Sequence, residues 1–245
     1  MAKYKQQYDA LWERIRHSET ALQQAVGGEF EVVGYLEFAL LRQLGLKPEH
    51  SVIDVGCGSG RLAVQLAPWL DGRYLGTDIL PSLLDHARTL CGREDWSFVE
   101  TNGQEIPAPD ESADFVTYFS VLTHINHEES YRYLAESKRV LRPGGMIVCS
   151  FLEFLIRSHW GIFRADLQDR SPEKVLNQFL SRDAFQAFAF NLGLELVCFI
   201  DGDKPTIPID RELNWSNGVQ MRGLGNLGQS VCVLRKPLVP LPLPL

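Results

Sequence analysis

Residues 51–64 read S-V-I-D-V-G-C-G-S-G-R-L-A-V, a β-branched apolar run that stops in three glycines at alternate positions, Gly56, Gly58 and Gly60. A strand that gives way at once to a bare turn and then to a helical pattern is the opening unit of a parallel α/β sheet. The turn is not the dinucleotide fingerprint G-x-G-x-x-G. Its third glycine comes one residue early, and Arg61 stands where that glycine is required. Glycines so placed clear side chains from backbone that a ligand must approach closely.

Outward from this unit the alternation continues. Strand-like runs fall at Ser51–Val55, Tyr74–Asp78, Trp96–Glu100, Phe115–Phe119 and Met146–Phe151. Between them, helical patterns fall near Gly60–Leu70, Ser82–Leu90 and Glu128–Leu141, while the connection near 103–113 is too proline-rich for a full helix. Asn126, followed three residues on by Glu129, has the form of a capping box. Arg142-Pro143-Gly144-Gly145 predicts a sharp break. After Phe151 regularity stops, and residues 152–180 read as an insertion over the pocket. A helix with Ala184, Phe185, Phe188 and Leu192 follows, stopped by Gly193, and then strands Leu194–Ile200 and Ser230–Leu234 around a loop-like stretch. Before the glycine turn, apolar residues at helical spacing predict one or two helices over Tyr4–Val26 and another over Glu31–Leu44. The tail PLVPLPLPL lacks most of the donors a regular element needs and reads as extended from 238 to 245.

The bulk numbers restrict function. The 245 residues, 45% of them hydrophobic, suffice for one large domain, expected over 1–237. The formal net charge is −7, with no basic run to grip nucleic acid or anionic lipid. Five cysteines form no C-x-x-C pair and leave an odd one over, which argues against a disulfide framework or a zinc site. The N-terminus is polar and amphipathic and no stretch is long and apolar enough to span a bilayer, so the expected location is the cytoplasm. The expected partner is a small molecule, with no nucleic acid, membrane or metal, and with the protein a monomer or homodimer.

In an open parallel sheet, ligands bind beyond the carboxyl ends of the strands, where strand order reverses. The residues there form a set: Asp54, the three glycines, Asp78, Asn102, and Ser120 to His124. D-V-G-C-G-S-G, L-G-T-D-I, T-N-G-Q-E-I-P-A-P-D-E-S-A-D-F-V and L-R-P-G-G, in that order, resemble the motifs of the class I S-adenosylmethionine-dependent methyltransferases. The resemblance is strong over about Val33–Arg142 and looser to Leu234. It implies a doubly wound, Rossmann-like α/β fold: a seven-stranded, mostly parallel sheet with an antiparallel last strand, helices on both faces and a helical insertion after strand 5. Tyr4, Tyr8 and Trp12 are expected to pack the N-terminal helix onto the domain; the resemblance implies that residues 1–30 form a lid helix from which Tyr8 or Trp12 could reach the cofactor, and that 152–180 cap the substrate.

The cofactor so implied is S-adenosylmethionine, held by Asp54, Gly56, Cys57, Gly58, Gly60, Asp78, Ile79, Asn102, Gly103 and Ser120. Asp78 would accept the ribose hydroxyls, Asp54 would meet the methionine ammonium, and Asn102 stands where the family usually has an Asp facing adenine. Methyl transfer from a sulfonium needs alignment more than a base, but a hydroxyl acceptor profits from one. His124, His159 and Glu153 are the candidates. The expected reaction is O-methylation of a small sugar-like or natural-product-like acceptor. N-methylation, a nicotinamide oxidoreductase, a binding protein without turnover, and transfer of another group from a related sulfonium stay open.

Overall fold

The computed structural model describes residues 29–101, 105–171 and 174–239. The expected lid helix, Asn102, Gly103 and nearly all of the extended tail lie outside the described residues.

Helix α1 (Phe30–Gln43) leads into β1 (Val52–Val55), and α2 (Ala63–Leu66) into β2 (Tyr74–Asp78). Next come α3 (Pro81–Cys91), β3 (Ser97–Glu100), β4 (Ala113–Tyr118), α4 (His127–Val140) and β5 (Leu141–Phe151). Then follow α5 (Arg157–Gln168), α6 (Arg182–Leu192) and β6 (Glu195–Ile200). Four two-residue strands, β7 (Ile207–Pro208), β8 (Leu213–Asn214), β9 (Gln220–Met221) and β10 (Leu224–Gly225), precede β11 (Ser230–Arg235).

The main sheet has seven strands in the order β3-β2-β1-β4-β5-β11-β6. β11 is antiparallel to both neighbours, and the other pairs are parallel. Strand order therefore reverses between β1 and β4, directly above the glycine turn.

All four residues of β1 are buried, because both faces of the sheet are covered. Val52 joins a core with Leu36 and Leu40 of α1, Leu66 of α2 and Leu84 of α3. Ile53 and Val55 join a second core with Leu134 of α4 and Phe185 of α6. Period-two alternation in the strands thus feeds two helix layers.

Local chemistry sets the boundaries. The helix expected over Gly60–Leu70 shrinks to a single turn. Gly60 has φ +92°, outside the helical region, and Pro68 removes a donor four residues past Val64. Pro81 opens α3, and Gly92 closes it in the left-handed conformation. Asn126 and Glu129 form the expected capping box. The break expected at 142–145 is a bend within β5, with Gly144 at φ +86°.

The stretch between β6 and β11 is more ordered than a loop. β7 pairs with β10 and β8 with β9, as two small antiparallel ribbons. Ile207, Ile209 and Leu213 from this stretch bury into the same core as α1. A Cβ on Gly225 would fall 2.5 Å from the Leu36 side chain, so contact with α1 demands glycine there.

Candidate active site

At the end of β1 the chain turns on Gly56, Gly58 and Gly60, all left-handed, with φ of +70°, +54° and +92°. The amides of Gly56 and Cys57 donate to the Thr77 carbonyl at 2.7 and 2.9 Å, fastening the turn to β2. A Cβ on Gly56 would lie 2.4 Å from Val121, so the turn is both bent and confined. Asp78, at the carboxyl end of β2, braces it from the other side. Its Oδ2 accepts from the Gly58 amide and its Oδ1 from the Leu80 amide, both at 3.0 Å. Ile79 follows, half-buried, while the Cys57 thiol points into the core, where burial pushes its pKa up.

Asp54 lies beneath the turn, 3% exposed. Tyr74 Oη donates to its Oδ2 at 2.9 Å and Thr117 Oγ1 to its Oδ1 at 2.8 Å. Burial pushes its carboxyl up to about 7, with the nearby Glu37 adding to the rise and the two hydroxyl bonds opposing it.

Beside the turn opens a cleft of about 370 Å³. Val33 and Glu37 of α1, Arg61 after the turn, Phe119, Ser120 and His124 after β4, Ser150 of β5, and Trp215 and Leu227–Gln229 from the stretch before β11 line it. Arg61 and Glu37 form a buried ion pair, with Arg61 Nε 3.3 Å from Glu37 Oε2 and Nη2 bonded to Oε1. Burial raises the Glu37 pKa against the pull of Arg61.

Ser120, Ser150 and Gln229 close a ring of hydrogen bonds. The Ser120 amide donates to Ser150 Oγ at 2.7 Å, Ser150 Oγ donates to Gln229 Oε1 at 2.7 Å, and Gln229 Nε2 donates to Ser120 Oγ at 3.1 Å. Ser120 is held at φ +61°, a conformation rare for a residue with a side chain. The His124 ring meets the Leu176 carbonyl at 2.7 Å through Nδ1. A carbonyl only accepts, so Nδ1 carries the proton and Nε2 is the acceptor nitrogen. Burial lowers the His124 pKa, which favours the neutral ring.

The model of a family described as "Methyltransferase domain" matches residues 53–149, from β1 through most of β5. This chain carries a methyltransferase domain and resembles the class I S-adenosylmethionine-dependent methyltransferases. The methyltransferase is 29% identical over 177 residues to a demethylmenaquinone methyltransferase of Symbiobacterium thermophilum, covering 65% of this chain and 68% of that one. It is 28% identical over 161 residues to the 27-O-demethylrifamycin SV methyltransferase of Amycolatopsis mediterranei, covering 64% and 58%. Against other curated relatives the match spans about half of their length. Magnesium protoporphyrin IX methyltransferase from Synechocystis PCC 6803, solved with bound S-adenosylhomocysteine, shares the fold. Its TM-score is 0.59 at 14% identity, over 93% of this chain and 94% of that one. The cofactor is S-adenosylmethionine.

Two expected bases of the methyltransferase sit elsewhere in the structure. His159 is fully buried, its Nε2 donating to the Gly228 carbonyl at 2.7 Å and its Nδ1 accepting from the Glu153 amide at 3.0 Å. With both nitrogens on backbone it fastens the insertion to the loop before β11. Glu153 is a hub instead of a base. Arg182 donates to both its oxygens at 3.0 and 2.8 Å, and Ser230 donates to Oε1 at 2.5 Å. Burial alone would raise its pKa, but Arg182 and Ser230 prevail and hold it below the usual carboxylate value. Neither residue lines the cleft.

Glu37, Ser150, Trp215 and Gln229 were not visible as site residues in the sequence. Only Glu37 left a signal there, as a charge between Leu36 and Phe38 on the apolar side of a helix.

Proposed function

We propose that the methyltransferase moves the methyl group of S-adenosylmethionine to an oxygen of a small organic acceptor seated in the cleft beside His124. The observation that carries this reading is the His124 ring, which lines the cleft with its Nδ1 proton anchored on Leu176 while burial favours its neutral form. The rifamycin relative is itself named for an oxygen position.

The cofactor supplies a methyl carbon on a positively charged sulfur. This chain's residues bind and align it. The bare turn at Gly56, Gly58 and Gly60 gives the nucleoside its approach, as S-adenosylmethionine has no phosphate to cradle. Asp78, already poised on the Gly58 amide, takes the ribose hydroxyls by charge-assisted bonds. Asp54 acts from below, setting the turn through Tyr74 and Thr117. Ser120, kept in its strained conformation by Ser150 and Gln229, shapes the methionine end.

Transfer of labelled methyl into a metabolite extract, followed by mass identification of the product that gains one CH2, tests the reaction. His124→Ala should then slow turnover about 100-fold while S-adenosylhomocysteine affinity stays unchanged. The acid limb of kcat/KM should fall below the ordinary imidazole value of 6.5, because burial lowers the His124 pKa. A variant rate within a few-fold of wild type would remove His124 from the chemistry.

A further inference from the structure

Within one short stretch Phe154, Leu155, Trp160, Ile162 and Leu167 all stand exposed. Leu155, in the turn before α5, is 94% exposed, more than any other described large hydrophobic residue. An aromatic cluster fixes this stretch in place. Phe154 stacks on Phe179 with ring centroids 4.6 Å apart, Phe163 meets both rings edge-on at 5.3 and 5.7 Å, and Trp160 packs on Phe163 at 5.0 Å. A contiguous apolar surface presented so openly marks a place of contact.

Arg157, Trp160, Arg164 and Leu167 follow one another at intervals of three or four along α5, so they share one outward stripe. All four are exposed. Arg157 and Arg164 enter no ion pair among the described residues. Asp166, half-buried on the inner side, is answered by Lys174 at 3.8 Å and by Asn177 Nδ2 at 3.0 Å. On a chain of net charge −7 the stripe is thus locally basic. The sequence has no basic run because the two arginines are seven residues apart, and only the helix brings them together.

Tryptophan and leucine interleaved with unpaired arginines match an anionic lipid interface, where apolar side chains reach the acyl boundary and guanidinium groups meet phosphates. A turn and a helix ridge suit a flat bilayer better than a peptide, which docks in a groove or on a sheet edge. A second copy seated on the same face would set these arginines against themselves. No described helix is long and apolar enough to cross a membrane, so contact is made at the surface.

We propose that the face from Phe154 to Leu167 docks the methyltransferase on an anionic lipid bilayer, with Leu155 and Trp160 at headgroup level and Arg157 and Arg164 on lipid phosphates. Docking of this kind is independent of which acceptor the cleft takes.

The test is sedimentation of the full chain with vesicles of phosphatidylglycerol and phosphatidylcholine in equal parts, and with vesicles of phosphatidylcholine alone. The protein should bind the anionic vesicles, and added salt should release it. Arg157→Gln combined with Arg164→Gln should weaken binding about 30-fold, the factor expected of two basic groups at an anionic surface. Leu155→Asp should weaken it about 10-fold or more. S-adenosylhomocysteine affinity should stay unchanged in both variants, showing that they fold. Equal binding to neutral vesicles, or binding indifferent to both variants, would overturn the docking face. Absence of binding to the anionic vesicles would also overturn it, leaving the face to residues 1–28 or to an acidic protein. A dimer in vesicle-free solution that Leu155→Asp dissociates would assign the face to a second copy instead.

Discussion

Asp54 shows what a single buried carboxyl does to a fold. Its ordinary pKa is about 3.9, and in the folded protein it is pushed up to about 7. Between those values the folded chain keeps a proton that the unfolded chain has lost, so raising the pH across the window removes stability, up to about 4 kcal/mol. Asp54→Asn, which keeps an acceptor for one hydroxyl and has no charge to lose, should gain stability relative to wild type as pH rises from about 5 to 8. Urea melts of the ligand-free protein across that range check it. A constant difference would show Asp54 ionised throughout. The sequence revealed that an acid stands at the end of β1, but its burial beneath the turn was hidden, since Tyr74 and Thr117 reach it from two other strands. The same blindness misplaced His159 and Glu153. A polar side chain just past a strand end reads alike whether it faces a substrate or satisfies buried backbone.

At the scale of elements, α1 and the glycine turn are locked together at one point. A Cβ on Gly34 would stand 2.4 Å from the Arg61 carbonyl and 3.1 Å from its Cγ. Glycine within a helix ordinarily costs about 1 kcal/mol against alanine, yet here the overlap dominates. Gly34→Ala should therefore destabilise by about 1–3 kcal/mol and weaken S-adenosylhomocysteine binding by shifting the turn, as denaturation and calorimetry would show. Breaking the adjoining buried pair with Glu37→Ala should cost up to about 3–5 kcal/mol, since Arg61 loses the carboxylate that accepts from both its Nε and Nη2. Elements with strong periodicity or capping chemistry, such as α4 with Asn126 and Glu129, were readable in the sequence to within a residue or two. The two ribbons before β11 were not: two-residue strands carry no alternation to detect.

For the whole molecule, cofactor binding and stability are one equilibrium. S-adenosylhomocysteine at 100 times its Kd should add about 2.7 kcal/mol, which for a chain of this size raises Tm by about 5–10 °C. NADH should leave Tm unchanged, because Arg61 interrupts the dinucleotide pattern. The parallel α/β class followed from the run of strands and the glycine turn, and the antiparallel last strand from the family resemblance. The cleft's far wall did not, since it is assembled by residues more than a hundred positions from that turn.

That wall leaves and rejoins the sheet at almost one point. β6 and β11 are antiparallel neighbours, and where the chain departs and returns, the Gly228 amide clasps the Gly202 carbonyl at 3.0 Å. Residues 203–227 therefore form a cassette fastened at its neck. Changes in its length leave the strand ladder in register, while Ile207, Ile209, Leu213 and Gly225, which pack against the core and α1, are the positions through which such a change would be felt at the glycine turn.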